Sequence, residues 1–272
     1  SSDLEINGLS IFTIIALLCS LGLFMGAILI STDTPSAFAD LPSVIMVIGG
    51  STTAMFVSYE PRYVLLSLKL LIRIHTAPGI TRNHLQAEVG RFIKWGYAVQ
   101  KEGPIGLEKE VQSAKGLDPI LSYGANLVIS GYEPDQVRNL MDEFVENTFN
   151  RNMAPVNIMK DFAASAPAFG MVGTLVGLII MLGNMGGSPE DLGAGLAVAM
   201  LTTLYGVIFA RVIFLPAASK MAQRESIMKF RNSILIEGFG LLAEKKPPRY
   251  IQDALNAYLD PSIHYDIEKN KK

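Results

Sequence analysis

Four stretches of the chain are apolar for long enough to cross a bilayer, whose hydrocarbon core needs about 20 mostly apolar residues in helical form. Ser10 to Ile30, Leu41 to Tyr59 and Phe162 to Gly187 carry no charge, and Leu192 to Ala218 carries one, Arg211. They pair into two hairpins through the short connections Ser31–Asp40 and Ser188–Asp191, with a long polar segment between the hairpins and a polar tail after the second. The pattern predicts four spans with the large segment between the second and third. The first run lacks a basic flank and is too long for a cleaved leader, so it is expected to remain a span.

The polar segments read as helices. Leu85, Val89, Phe92, Ile93 and Tyr97 recur at helical spacing, with Arg91 and Lys94 between them. Pro134 marks a helix start. Beyond it Val137, Leu140, Met141, Phe144, Val145, Thr148 and Phe149 form one stripe while Asp142, Glu143 and Glu146 face away. After the last apolar run Met221, Ile227, Met228, Phe230, Ile234 and Leu235 predict a helix that Pro247 and Pro248 end. The polar stretch from Asp260 is expected to fray. No strand pattern or repeat is present. The expected class is an all-α integral membrane protein. Its parts are a first transmembrane hairpin over 1–60, a cytoplasmic helical domain over 61–161, a second hairpin over 162–218, and a cytoplasmic helix and tail over 219–272.

Charge orients this plan. Of the 23 lysines and arginines, those outside the apolar runs lie in the long central segment or the tail, and neither hairpin connection has one. Positive charge marks the cytoplasmic side, so the central segment, the tail and both termini belong there. Asp3 and Glu5 near the N-terminus do not help that assignment. Half the residues are hydrophobic and mean hydropathy is +0.33, high for a soluble domain of this length. A net charge of −2 gives no reason to expect nucleic acid as a partner. The single cysteine, Cys19, excludes an internal disulfide framework and reads as a small buried apolar residue.

The last two runs carry the candidate chemistry. Gly173 and Gly177 form a small-xxx-small pair, and Ala199, Thr203, Gly206 and Ala210 form one narrow face. Small faces let helix backbones approach where lipid supplies no hydrophobic drive; the neighbour can be a partner helix or one from the same chain. Thr174, Thr202 and Thr203 can bond back to their own helices or together line a wet path. No Asp, Glu, His or Lys lies inside any run. Ion-coupled machinery needs an ionisable group at membrane depth, so if this chain moves ions, a partner must supply the carboxylate. Pro167 and Pro216 can hinge their helices or merely mark entry and exit. Arg211, about two turns inside the run's end, reads first as an interfacial anchor.

Two sequences at this spacing resemble the MotA/PomA flagellar stator family. Ala166-Pro167-Ala168-Phe169-Gly170-Met171-Val172-Gly173-Thr174-Leu175-Val176-Gly177-Leu178 is similar to that family's third-span signature. Ala197-Val198-Ala199-Met200-Leu201-Thr202-Thr203-Leu204-Tyr205-Gly206, followed by Phe214-Leu215-Pro216, is similar to its fourth span, and Gly49-Gly50-Ser51 fits the second. The resemblance covers the whole architecture. It implies a ring of five such subunits in the bacterial inner membrane around two MotB/PomB-type subunits. The partner's aspartate would carry H⁺ or Na⁺, ion flow would turn the ring, and the ring would drive a rotor switch protein of the FliG type. No cofactor is implied beyond the transported ion. Thr174 and Thr203 match pore-facing threonines, and Pro167 and Pro216 match prolines that couple ion passage to movement.

The rotor contact implied by the resemblance is a basic residue eight positions before an acidic one. Glu108 fits the acidic position, but Gln100 stands eight before it; the adjacent Lys101 can substitute, and Glu110 is a further acidic candidate. These side chains can equally be a solvated helix face. An energiser of the ExbB/TolQ type is the alternative, against which four spans with the loop after the second argue. A membrane enzyme would need a catalytic cluster, whereas His75, His84 and His264 are scattered without metal-ligand spacing.

Overall fold

The computed structural model describes residues 11–73, 80–114, 116–186 and 188–268; Asp3, Glu5, Ser10, His75 and Gly187 lie outside them. Every regular element among the described residues is helical. The chain forms two compact units, residues 1–77 with 153–223 and residues 78–152 with 224–272. The central segment and the tail thus build one unit together, and its helices leave the stretch just after the second apolar run with the other.

The first unit begins with α1 (Ile11–Ser31), an uncharged helix of 21 residues. A 3₁₀ turn at Pro35–Phe38 leads to α2 (Leu41–Val44), a π-helical turn at Ile45–Gly49, and α3 (Gly50–Ser58). Asp40 caps α2, its carboxylate accepting from Ser43 N–H at 2.9 Å. Then α4 (Pro61–Ile72) starts on a proline whose missing N–H would have had no helical partner. The unit also takes the later part of α8 (Pro134–Gly183), all of α9 (Pro189–Ile208), a π-helical turn at Phe209–Phe214 and the start of α10 (Leu215–Ala243). Its core is thin: Val47, Phe162, Ala166, Ala210 and Phe214 with a few neighbours. Among the described residues three helical stretches, Pro35–Ser58, Pro134–Gly183 and Leu192–Ala243, are long and apolar enough to cross a membrane. Most of α1 is exposed, Cys19 included, so that cysteine is not the buried residue its surroundings suggested.

The second unit packs α5 (Arg82–Glu102), α6 (Pro104–Ser113), α7 (Pro119–Ile129), α11 (Pro248–Asn256), the early part of α8 and the later part of α10. Phe92, Trp95 and Phe239 form its centre; Phe92 meets Phe239 edge to face at 4.9 Å. Beneath them lies an ionic network. Glu88 and Arg231 are both buried; Arg231 Nε donates to Glu88 at 3.1 Å, and its terminal nitrogens reach Glu88 and Asp118. Asp118 also caps α7, accepting from Leu121 N–H at 2.9 Å. One guanidinium thereby pins α10 to α5 and to the start of α7.

Several boundaries differ from the pattern-based expectation. The helix begun at Pro134 and the third apolar run are one helix of 50 residues, continuous through Pro155 and Pro167. The fourth run, bounded at Ala218, and the helix expected after it are joined without a break: a π-helical turn at Phe209–Phe214 shifts the hydrogen-bond register, and the helix continues through Pro216 to Ala243. That helix stops ahead of Pro247. Lys245 takes a left-handed φ of 55°, and Lys246 N–H returns to Leu241 O at 3.0 Å, so backbone geometry closes the helix and the prolines open α11. The stretch after Asp260 is tied down as far as 268. Asn256 bonds Tyr265 through both main-chain groups at 2.8 and 2.9 Å, and Ile267 N–H reaches Gln252 at 3.0 Å. Tyr97, Met228 and Phe230 fall on the predicted stripes yet are exposed.

Candidate functional site

In the first unit α8 and α9 lie against each other along their small residues. A Cβ on Gly177 would sit 2.6 Å from Ala199 N, one on Gly206 would sit 2.7 Å from Ala166 O, and one on Gly173 would sit 2.5 Å from Thr202 Cβ. Gly170 and Gly195 are equally tight, at 2.9 Å from Thr202 O and 2.8 Å from Met181 N. Thr202 is fully buried there, its hydroxyl donating to Val198 O or Ala199 O at 3.0 and 3.1 Å. Of the two readings open for Gly173, Gly177, Gly206 and Thr202, the geometry is that of packing within the chain. Their faces are covered by its own neighbouring helix.

Thr174 and Thr203 differ. Thr203 is exposed and Thr174 half-buried, and their hydroxyl oxygens are 2.5 Å apart. Thr174 also lies within reach of Gly170 O at 3.2 Å and Ala199 O at 3.1 Å, and Thr203 of Ala199 O at 3.5 Å. Each hydroxyl has one proton, so one closes the pair and the other goes to a carbonyl; lone pairs on both oxygens stay available. The edge of the α8–α9 contact therefore offers neutral oxygen acceptors suited to a cation or to a water carrying a proton.

Pro167 lies in the same contact, its Cα 3.1 Å from where a Gly206 Cβ would be. From the other side α3 crowds the next turn: a Gly50 Cβ would strike the Phe169 ring at 2.3 Å. Gly206 thus packs on the turn of α8 that holds Ala166 and Pro167, and Gly50 packs on the ring of the nearby Phe169. Pro216 is exposed and follows the π-helical turn that also holds Arg211, itself exposed. Two features escaped sequence reasoning. Asp161, one residue before the third apolar run, accepts a short hydrogen bond from Tyr59. Tyr205 ties α9 to the α1–α2 connection, accepting from Asp40 N–H at 3.2 Å and donating to Phe38 O. A tyrosine within an otherwise apolar run was the only signal of the second.

In the second unit the α5–α6 corner sorts the charged candidates. Gly103, at φ +66°, turns the chain between the helices, and Pro104 starts α6. Lys94 pairs with Glu110 at 2.7 Å and Lys109 with Glu102 at 2.7 Å. Lys109 beside it holds the Glu102 carboxyl below its usual range. Lys101 and Glu108 are exposed and form no salt bridge among the described residues, and Gln100 is exposed beside them. Glu108 accepts from Gln112 at 3.1 Å. Glu110, by contrast, is half-buried and already engaged. Of the two histidines described, His84 completes the cap of α5 with Thr81, and His264 lies 3.1 Å from Leu259 O.

Comparison with known proteins agrees with this layout. Motility protein A of Borreliella burgdorferi is 32% identical over 248 residues, covering 88% of this chain and 92% of its own. The chemotaxis protein PomA of Vibrio alginolyticus is 28% identical over 224 residues, covering 82% and 85%. A chain of the flagellar MotAB stator complex from Bacillus subtilis shares the fold, with a TM-score of 0.81 at 23% identity over 93% of this chain and 96% of that one. Residues 112–258 match the profile of the MotA/TolQ/ExbB proton channel family, and the chain is a member of that family on its motility protein A side.

Proposed function

We infer that the chain is a flagellar stator subunit which, with a MotB/PomB-type partner, forms an ion-conducting unit that converts ion flow into torque on the rotor. The observation that carries this reading is the Thr174–Thr203 oxygen pair at the edge of a glycine-packed helix contact. No Asp, Glu, His, Lys or Arg stands inside the apolar runs of α8 and α9 up to Ile208. Such an edge can guide a cation but cannot bind one tightly or exchange a proton by itself. The partner's membrane-depth carboxylate completes it, and the motility names of the relatives favour that reading over the ExbB/TolQ-type alternative.

In this proposal α1, the stretch Pro35–Ser58, the later part of α8 and α9 are the four spans. The one-sided lysines and arginines put the second unit and both termini in the cytoplasm of a cell with this subunit in its inner membrane. The broadly exposed α1 and the exposed faces of α8 and α9 meet lipid, neighbouring copies in a ring of five, and the partner. Pro167 and Pro216 are the positions where the helices flex as the ion passes. Lys101 and Glu108, which form no salt bridge among the described residues, face a FliG-type rotor protein. The chain itself supplies no enzyme activity and holds no cofactor; H⁺ or Na⁺ is the transported ion.

The test is flux. Purified alone into liposomes, the chain should pass neither protons nor sodium above background; co-purified with its partner it should pass one of them. Robust flux without a partner would overturn the division of labour.

A further inference from the structure

We propose that Tyr205 is a positioning residue that sets the rotation of α9, and through it the register of the Thr174–Thr203 pair. The inference rests on the reading of that pair given above. Thr203 and Gly206 both face α8, as the 2.5 Å hydroxyl contact and the close approach to Ala166 and Pro167 require. Tyr205 follows Thr203 by two positions, about 200° around the helix at 3.6 residues per turn, and precedes Gly206 by one, about 100°, so it lies on a different face from the threonine. There its single hydroxyl serves two main-chain groups of the α1–α2 connection, the N–H of Asp40 and the carbonyl of Phe38. Neither group belongs to a regular α-helix: Asp40 is the cap of α2 and Phe38 ends the 3₁₀ turn. The connection therefore depends on α9 for these bonds, and α9 is held at a second face besides its glycine contact with α8.

A helix held on one face by glycine contacts can still roll, because small residues present little relief to oppose it. The grip at Tyr205 removes that freedom. Its ring is half-buried and its hydroxyl both donates and accepts, so the oxygen is fixed in two directions. Rolling α9 by a fraction of a turn would break these bonds and would carry Thr203 Oγ1 away from Thr174 in the same motion. The tyrosine acts through Thr203, its own hydroxyl being bonded to Asp40 and Phe38.

The experiment uses the full chain co-expressed with its partner. In a Cys19→Ser background, Thr174→Cys and Thr203→Cys are combined and the rate of disulfide formation in membranes is followed with and without Tyr205→Phe. Tyr205→Phe should slow crosslinking roughly fivefold, the size expected for loss of about one net hydrogen bond. In parallel, partner-dependent flux is measured for Tyr205→Phe, Thr203→Val and the double variant. Tyr205→Phe should reduce flux by a similar factor alone and add nothing in the Thr203→Val background, because it acts through that residue. Unchanged crosslinking, or flux losses that multiply in the double variant, would overturn the proposal. If Thr203→Val leaves flux intact while Tyr205→Phe still slows crosslinking, Tyr205 positions the pair and the functional reading of the pair fails instead. The crosslinking arm is read on membrane-inserted protein, so it decides even where flux is lost to poor assembly.

Discussion

The α8–α9 contact of the first unit and the aromatic core of the second use glycine for opposite purposes. In the first, an added Cβ at Gly170, Gly177, Gly195 or Gly206 would meet main-chain atoms of the facing helix. In the second, one at Gly124 or Gly238 would meet the rings of Phe239 and Phe92, and one at Gly240 the guanidinium of Arg138. Where lipid supplies no hydrophobic drive, association comes from close van der Waals packing of backbones, and glycine is removed surface. Where water supplies it, large rings carry the core and glycine is the notch that receives them. The polar groups follow the same division. The first unit satisfies its threonines with carbonyls of its own helices. The second buries a charged network around Arg231, which needs partners of full opposite charge.

The largest expected effect breaks the backbone contact. Gly177→Leu should abolish motility, because no rotamer change can move Ala199 N or Gly195 O out of the way. Gly183→Ala, with nothing within 4 Å of its added carbon, should swim normally. Swimming assays with membrane levels as control decide it, and normal swimming by Gly177→Leu would erase the contrast between the units.

Next comes the ionic network. Arg231→Met leaves the buried carboxylate of Glu88 short of its main partner and should destabilise the second unit by about 3–5 kcal/mol. Thermal unfolding in detergent reads the loss, and adding Glu88→Leu should recover part of it. No recovery would mean that the guanidinium serves packing more than charge.

The smallest effects belong to exposed charges at the α5–α6 corner, each worth about 1 kcal/mol or less. Glu108→Lys should weaken torque more than Glu108→Gln, and Lys101→Glu more than Gln100→Ala. A compensating reversal on the rotor protein should restore part of the torque. Unchanged swimming and stator recruitment with both reversals present would return these residues to a plain solvated face.

Much of the architecture was legible before folding. Uncharged runs, the one-sided cations and the stripes through Val89 and Phe92 or Val137 and Met141 are local patterns with a direct physical meaning. Less legible were features decided by neighbours distant in sequence. Glu88 sits among charges that a stripe assigns to solvent, yet Arg231, 143 positions away, makes its burial tolerable. The unbroken α8 was hidden because prolines usually end helices; here Pro155 and Pro167 are held inside one helix. The stretch after Asp260 looked too polar to pack, but its main chain is bonded by Asn256 and Gln252 of α11.

Sequence by itself determined the helical class, the apolar runs and the lack of any carboxylate within them, since each depends only on which residues follow one another. It also narrowed the candidate chemistry to Thr174, Thr202, Thr203 and a short set of glycines, prolines and loop charges. Only the tertiary structure separated Thr174 and Thr203, which share an accessible edge, from Thr202, whose hydroxyl is spent on its own helix. Only it paired Lys94 with Glu110 and Lys109 with Glu102, leaving Lys101 and Glu108 without salt-bridge partners among the described residues. The physical reason is common to both cases. A residue type fixes what bonds a side chain can make, but which of them it does make depends on atoms that folding brings within about 3 Å.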